Sequence, residues 1–330
     1  MTVKDLVKFK NDLLNTRQKL LLDEVISEKI KIIDDLGSRH EITDYTQDTD
    51  QCISIYKGLS SHNKDIITLV DNLIKKVEND IILQVNKTVL IDEDERYMPH
   101  HYLSTSDSIE QIICTRISSY SNWKFPGLQL HCRYFRSESK NYQGTNRFSN
   151  PTHRINSMVA CDPLYLVSTD KDHLNEIISY HNPIYRNRLR LYEITMRSLF
   201  LQGRNLSQLP YAQFGFILCW DFLNYLPIET IKWYLNECIR LLRPGGSLMF
   251  SYNNGDIESS AKMFDQGRAA WATAQTIQKI IETIGFDILR SENHPTNDIE
   301  DTWVSWYEVK KPGELKTVRL NQAIGAVLTK

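Results

Sequence analysis

The chain has no apolar run long enough to span a bilayer, and its amino terminus, MTVKDLVKFKND, lacks the hydrophobic core of a signal peptide. Both absences lead to the expectation of a cytosolic protein, or of a particle assembled in cytosol. No phosphate-loop lysine motif and no serine nucleophile elbow is present, which argues against nucleoside-triphosphatase and serine-hydrolase chemistry. The six cysteines, Cys52, Cys114, Cys132, Cys161, Cys219 and Cys238, stand far apart, and several fall in apolar surroundings. They read as reduced, buried thiols. No pair has zinc-ligand spacing, and His100-His101 is not a metal motif by itself, so no metal site is assigned. A net charge of −2 gives no global footprint for nucleic acid; any such contact has to come from a local patch.

Proline is missing from the first 90 residues, where glycine is also scarce and Lys, Asp, Glu, Leu and Ile dominate. That is a helical composition. From Val3 to about Leu36, residues Leu6, Phe9, Leu13, Leu20, Ile26, Ile30 and Ile33 approximate a helical stripe that slips once near Arg17, and Gly37 offers a stop. A second run, Ile66, Leu69, Val70, Leu73, Ile74, Val77 and Ile81, has heptad-like spacing. Joined by the polar stretch Thr43 to Asp50, the two predict a helical hairpin or coiled coil. Such a stripe needs a partner, either its own hairpin mate or another protein or a second copy. The 330 residues suffice for one large core plus this module. The expected division is a helical module over 1–90, a polar linker over 91–107, a second domain over 108–311 and a tail over 312–330 ending in the apolar-spaced Leu320, Ile324 and Val327.

The stretch Gln213 to Tyr252, QFGFILCWDFLNYLPIETIKWYLNECIRLLRPGGSLMFSY, carries the most information. Phe214, Phe216, Ile217, Leu218 and Cys219 form the near-continuous apolar run of a strand covered on both faces. Trp220, Asp221 and Asn224 follow at its end. Pro227 suits a first helical turn, Ile228, Ile231, Leu235, Cys238 and Leu242 recur at three and four residues, and Pro244-Gly245-Gly246 ends the run. Leu248 to Ser251 then reads as a second buried strand. In open α/β sheets ligands bind beyond the carboxyl ends of the strands, so Asp221, Asn224, Tyr252 and Asn253 stand where a site is expected.

A strand ending in LCWDFLNYLP, a helix, and then LLRPGGSLMFS resembles the fourth and fifth strands of class I S-adenosylmethionine-dependent methyltransferases. The resemblance covers roughly Gln213 to Asn253. It implies a Rossmann-like methyltransferase sheet with helices on both faces, S-adenosyl-L-methionine as cofactor, and transfer of a methyl group to an O, N or C nucleophile. Asp221, Asn224, Tyr252 and Asn253 are then the candidates for catalysis, with Asp221 as base or acceptor-orienting group. Gly127 to Cys132 takes the first-strand position, which sets His131 and Cys132 beside the cofactor, as Cys219 and Trp220 are at the end of the fourth. Ser157 to Cys161 reads as the second strand, so the family's ribose-binding acid falls on Asp162.

Two features depart from the family. Where a Gly-x-Gly loop is typical, the chain reads HCRYFRSESKNYQG, and bulky Arg133, Tyr134, Phe135 and Arg136 crowd a backbone that has to approach the cofactor closely. The acid near the cofactor adenine is not evident around Thr195 to Ser198. Either the loop binds by another geometry or the domain keeps the fold without the cofactor. In the latter case the chain is a scaffold or assembly protein that docks through its helical arm, and its Asn-, Ile-, Lys- and Tyr-rich texture resembles methyltransferase-like proteins of bacteriophages.

Asp170 to Asn182 reads as a helix carrying Leu174, Ile177 and Ile178. Arg188 to Ile194 alternates charged and apolar residues like a half-exposed edge strand. Ala270 to Ile284 predicts a helix, Gly285 to Leu289 a strand, and Trp303 to Val309 a last, antiparallel strand.

Overall fold

The computed structural model describes residues 2–38, 46–89, 107–130, 158–168, 174–175, 178, 183–193, 206, 208–267, 269–295 and 303–316. The chain divides into two compact units, Met1–Glu93 and Asp94–Lys330.

The first unit is a pair of long helices, α1 (Val3–Ser38) and α2 (Thr46–Val89). Val3, Leu6, Val7 and the Lys10 stem are buried on α1, and Val70, Ile74, Val77 and Ile81 on α2. This three-and-four spacing gives each helix one apolar stripe for the other. At Arg17, where the apolar spacing slips, the guanidinium instead pairs with the Asp71 carboxylate across the helices. Gly37 lies inside α1 and the helix ends one residue later, an ordinary displacement for a helix terminus. None of the described helices is long and apolar enough to cross a membrane.

The second unit opens with α3 (Asp107–Tyr120) and holds a seven-stranded sheet. Its strands are β1 (Gly127–Leu130), β2 (Leu164–Ser168), β3 (Leu189–Glu193), β4 (Phe214–Cys219), β5 (Leu242–Tyr252), β6 (Asp287–Pro295) and β7 (Trp303–Lys310). The spatial order is β3-β2-β1-β4-β5-β7-β6. The first five run parallel, and β7 lies antiparallel to both β5 and β6. Among the described residues its helices are α3, the single turn α4 (Pro183–Arg186), α5 (Ile228–Leu241), α6 (Glu258–Asp265) and α7 (Ala274–Ile284).

Two hydrophobic clusters sandwich the sheet. On one face Ile231, Leu235 and Cys238 of α5 and Ile277 and Ile281 of α7 meet Ile217, Leu248 and Val309. On the other, Ile109, Ile113 and Ile117 of α3 and Met263 of α6 meet Phe216, Leu218, Met249 and Trp306. The sheet is therefore covered by helices on both sides, as its near-continuous apolar strands require. In β4 the alternation changes phase at Gly215, where the ladder to β5 shifts register. Phe214 and Ile217 consequently share one face while Phe216 and Leu218 share the other. Glycine suits this bulge because a Cβ there would lie 2.6 Å from the Phe125 Cβ.

The edge strand β3, the order β4-α5-β5 and the antiparallel β7 follow the sequence expectations, although β5 starts at Leu242 and takes in that residue and Pro244-Gly245-Gly246, which the sequence pattern assigns to helix and turn; the second strand does not follow them. It is Leu164–Ser168, and Met158 to Cys161 is the approach to it, with Val159 and Cys161 buried outside any ladder. The apolar run Leu164-Tyr165-Leu166-Val167 stands behind Pro163, and a proline is admissible just ahead of a strand. Helix α7 begins at Ala274 rather than Ala270, and Gly285, at φ +93°, caps it instead of opening the next strand. The helix expected over 170–182 and the tail beyond residue 316 lie largely outside the described residues.

Candidate functional site

Strand β1 has β2 on one side and β4 on the other, so the chain winds outward from it in both directions. This is a topological switch point, and the carboxyl ends of β1 and β4 flank its crevice. Beyond Leu130 the chain continues into His131, Cys132 and the glycine-poor loop, which lie outside the described residues. Beyond Cys219 come Trp220 and Asp221.

Asp221 turns the chain out of β4 at φ +53°, a left-handed conformation that Asp tolerates better than most residues. It is fully buried. Its backbone N–H donates to the Ser251 hydroxyl at 2.7 Å, and that hydroxyl donates to the Asn224 Oδ1 at 2.9 Å. The Tyr225 hydroxyl donates to the Asp221 Oδ1 at 3.0 Å. Asn224 and Tyr225 belong to a single 3-10 turn, Leu223–Tyr225, that doubles back over the strand end.

A strap, residues 269–274, closes over both exits. The Ala270 N–H donates to the Asn224 carbonyl at 2.8 Å, and the Asn253 side-chain amide donates to the Ala270 carbonyl at 2.8 Å and the Ser260 carbonyl at 3.2 Å. Gly255 N–H reaches the Ala272 carbonyl at 2.8 Å, and the Asp256 carboxylate accepts from Ala274 N–H at 3.0 Å, capping the start of α7. The Trp271 ring lies so close to Gly255 that a Cβ there would come within 2.7 Å of it. A side chain at 255 would lift the strap.

The structure thus brings Asp221, Asn224 and Asn253 together, and it employs their polar groups in holding the two exits. Tyr252 is different. Its side chain belongs to the core, stacked on Tyr307 at 5.5 Å, and burial with the nearby Tyr307 and Asp256 pushes its phenol far above its ordinary range. Cys219 and Trp220, expected beside the cofactor, have their side chains in the two core clusters, because the strand's alternation still governs them. Cys219 packs with Cys238 beneath α5, where burial pushes both thiols up, and Trp220 lies 5.9 Å from Trp306 on the opposite face.

Asp162 is corrected outright. It precedes β2, at the amino end of the sheet, where its N–H donates to the Phe125 carbonyl and its carboxylate lies 3.9 Å from the Arg188 guanidinium. It therefore faces away from the crevice. Ser251 is the polar residue that sequence reading passed over. A serine closing an otherwise apolar buried strand was the available signal.

A second polar cluster lies in mid-sheet. Glu308 of β7, fully buried, accepts from the Tyr120 hydroxyl at 2.6 Å and the Trp306 Nε1 at 3.2 Å, with Arg116 and Arg290 each 3.8 Å away. Burial and the Glu308 carboxylate hold the Tyr120 phenol up at about 12. This cluster fastens α3 to the sheet.

No family model and no curated protein matches the sequence. Among solved structures, the chain is similar to an N-methyltransferase from Bradyrhizobium japonicum in complex with S-adenosyl-L-homocysteine, at 13% identity and TM-score 0.44 over 70% of this chain and 97% of that one. It is similar to a SAM-dependent methyltransferase from Methanosarcina mazei, at 11% identity and TM-score 0.43 over 60% and 98%. A third is 1,6-didemethyltoxoflavin-N1-methyltransferase from Burkholderia thailandensis, at 12% identity and TM-score 0.39 over 73% and 90%. The strand order β3-β2-β1-β4-β5-β7-β6, with β7 reversed, is that of the class I methyltransferase fold.

Proposed function

We propose that this chain is an S-adenosylmethionine-dependent methyltransferase acting at the carboxyl ends of β1 and β4. One observation carries the reading: the sheet reverses its winding between those two strands, which is where open α/β sheets hold nucleotide-like ligands. Strand β2 ends at Ser168, and the first acid that follows it in the sequence is Asp170. The ribose-binding role assigned to Asp162 therefore moves to Asp170.

When bound, the cofactor supplies an electrophilic methyl on a sulfonium. Methyl displacement depends chiefly on in-line placement and exclusion of water, and needs a base only when the acceptor is still protonated. Asp221, Asn224 and Asn253 act as positioning residues that fix the exit turns, with the strap over 269–274 as a wall on the acceptor side.

A second reading is favoured by the same hydrogen bonds. Since the Asn224 Oδ1 accepts from Ser251 and the Asn253 Nδ2 donates to two backbone carbonyls, a non-catalytic scaffold that keeps the fold also accounts for these contacts. The exposed Phe9, Leu69 and Leu73 support a docking or self-association role for the helical hairpin under either reading. Thermal unfolding with and without S-adenosylhomocysteine separates the two. Ligand at a thousandfold its dissociation constant adds ~4 kcal/mol to stability and raises the melting temperature by several degrees. An unchanged transition at saturating ligand would leave the scaffold.

A further inference from the structure

The helical hairpin carries more apolar surface than its own contact uses. Arg17 of α1 meets Asp71 of α2, and the buried Val3 and Val7 ahead of it on α1 answer Ile74, Val77 and Ile81, which come after Asp71 on α2, so the helices run antiparallel. A second stripe lies beside each buried one. On α2, Leu69, Leu73, Lys76 and Asp80 each stand one residue before a buried position, and Ile66 and Leu83 continue the three-and-four spacing. On α1, Leu6 and Phe9 stand one residue before Val7 and Lys10, and Leu13, Thr16 and Leu20 continue that stripe. One residue is a rotation of about 100° about the helix axis. In two antiparallel helices the same step swings toward the same side of the pair, so both second stripes share one face of the hairpin.

That face is open. Phe9 is 46% exposed, Leu69 62%, Leu73 44% and Leu83 58%. Leu13, Leu20 and Ile66 are half-buried. The other flank is built differently: one step after the buried positions come Lys4, Lys8 and Asn11 on α1 and Asp71, Lys75 and Glu78 on α2, with Ile82 the one apolar exception. Single exposed apolar residues are ordinary, but a stripe aligned on both helices opposite a polar flank marks a surface that something covers. Two charges interrupt it, Lys76 and Asp80, both exposed. Among the described residues neither has an ion-pair partner, and they do not pair with each other.

We propose that the occupant is a second copy of this chain, the two hairpins packing face to face about a two-fold axis that runs across the helices, to form an antiparallel four-helix bundle. This commits the hairpin's docking role to self-association and holds under either reading of the second unit. The two charges single out the partner. An axis midway between Lys76 and Asp80 lays α2 antiparallel on its counterpart, sets each Lys76 against Asp80 of the second copy, and brings Leu73 onto Leu83 of the second copy. The Arg17–Asp71 register carries the same axis between Phe9 and Leu13 of α1, so these two meet their counterparts crosswise. Opposite charges four residues apart on one helix are complementary to a reversed copy of themselves, which is what an isologous interface demands. A two-fold along the helices would instead lay α1 on α2 at equal height, with Lys76 against Leu13 and Asp80 against Phe9, and both charges would lose water without gaining a partner. In the proposed bundle each helix runs antiparallel to both of its neighbours, the up-down arrangement of short-looped bundles.

The test is sedimentation velocity of the full chain over a concentration series. The parent is expected to be a dimer that dissociates on dilution. Asp80→Lys and Lys76→Asp each set like charges together twice at the axis and raise the dissociation constant about tenfold or more. Exchanging the two charges in one chain, Lys76→Asp with Asp80→Lys, restores the parent's association, and the two single variants mixed together associate with each other in preference to themselves. Phe9→Asp combined with Leu73→Asp gives a monomer. All four positions are exposed, so these variants fold, and their far-ultraviolet circular dichroism verifies it. A parent that stays monomeric up to about 100 μM, a dimer that survives the loss of Phe9 and Leu73, or a charge exchange that fails to restore association overturns the proposal. Binding of S-adenosylhomocysteine is read separately, by melting temperature, so failure of one reading is distinguishable from failure of the other.

Discussion

The Ser251 hydroxyl receives the backbone N–H of Asp221 at 2.7 Å and passes its own hydrogen to Asn224. One side chain from β5 therefore fixes both the positive-φ turn at the end of β4 and the 3-10 turn that follows it. All three residues are buried, so water cannot stand in for any partner that is lost.

Ser251→Ala is expected to destabilise the second unit by about 2 kcal/mol, because a buried donor at Asp221 and an acceptor at Asn224 are left unmade together. Urea unfolding measures this. A loss smaller than about 0.5 kcal/mol means that the exits hold themselves without the serine.

Asp170→Ala is expected to remove the S-adenosylhomocysteine-induced rise in melting temperature, whereas Asp162→Ala leaves it intact. The contrast follows from the placement of Asp162 before β2. Equal loss in both variants would falsify the reassignment.

Glu308→Ala removes the acceptor of the Tyr120 hydroxyl and the Trp306 N–H and leaves Arg116 and Arg290 without their carboxylate. Breaking a buried ionic cluster by deleting one member costs about 3–5 kcal/mol. Both arginines retain some solvent contact, so the lower end is expected in guanidinium unfolding.

The same cluster sets a pH response. The Tyr120 phenol is held at about 12 in the folded chain, above its ordinary value of 10.0. A raised value means that the neutral phenol is favoured by folding. Its contribution to stability is complete below pH 10 and is lost as pH rises toward 12. Tyr120→Phe should therefore be less stable than the parent at pH 8, with the gap narrowing as the pH is raised past 10. Melting temperatures of the two proteins across that range check it, and a gap that stays constant contradicts the assignment.

Legibility from sequence tracked how strongly local signals agreed with one another. For β4, α5 and β5, the apolar run, the proline at the helix start and the three-and-four spacing all specify the same unit, and it forms in that order, with β5 extended back to Leu242 through Pro244-Gly245-Gly246. At β2 two short apolar runs, Met158-Val159-Ala160-Cys161 and Leu164-Tyr165-Leu166-Val167, competed on either side of Asp162-Pro163. Buried loop and buried strand have the same composition, so periodicity could not choose between them. The wrong choice carried the ribose acid with it. The late start of α7 has another cause: Ala270 and Ala272 have helical propensity, but their backbone groups are taken by Asn224, Asn253 and Gly255. Tertiary hydrogen bonds outweighed a preference worth a fraction of a kcal/mol per residue.

The irregularity at Gly215 acts as a phase setter for everything after it in β4. If Gly215 took an ordinary place in the pleat, alternation would run unbroken from Phe214, and Phe216, Leu218 and Trp220 would rotate into the layer beneath α5 while Ile217 and Cys219 moved to the α3 layer. The indole of Trp220 would lose Trp306, and Asp221 would leave the sheet pointing away from Ser251. The geometry of the exit is thus fixed some six residues upstream, by a position with no side chain of its own.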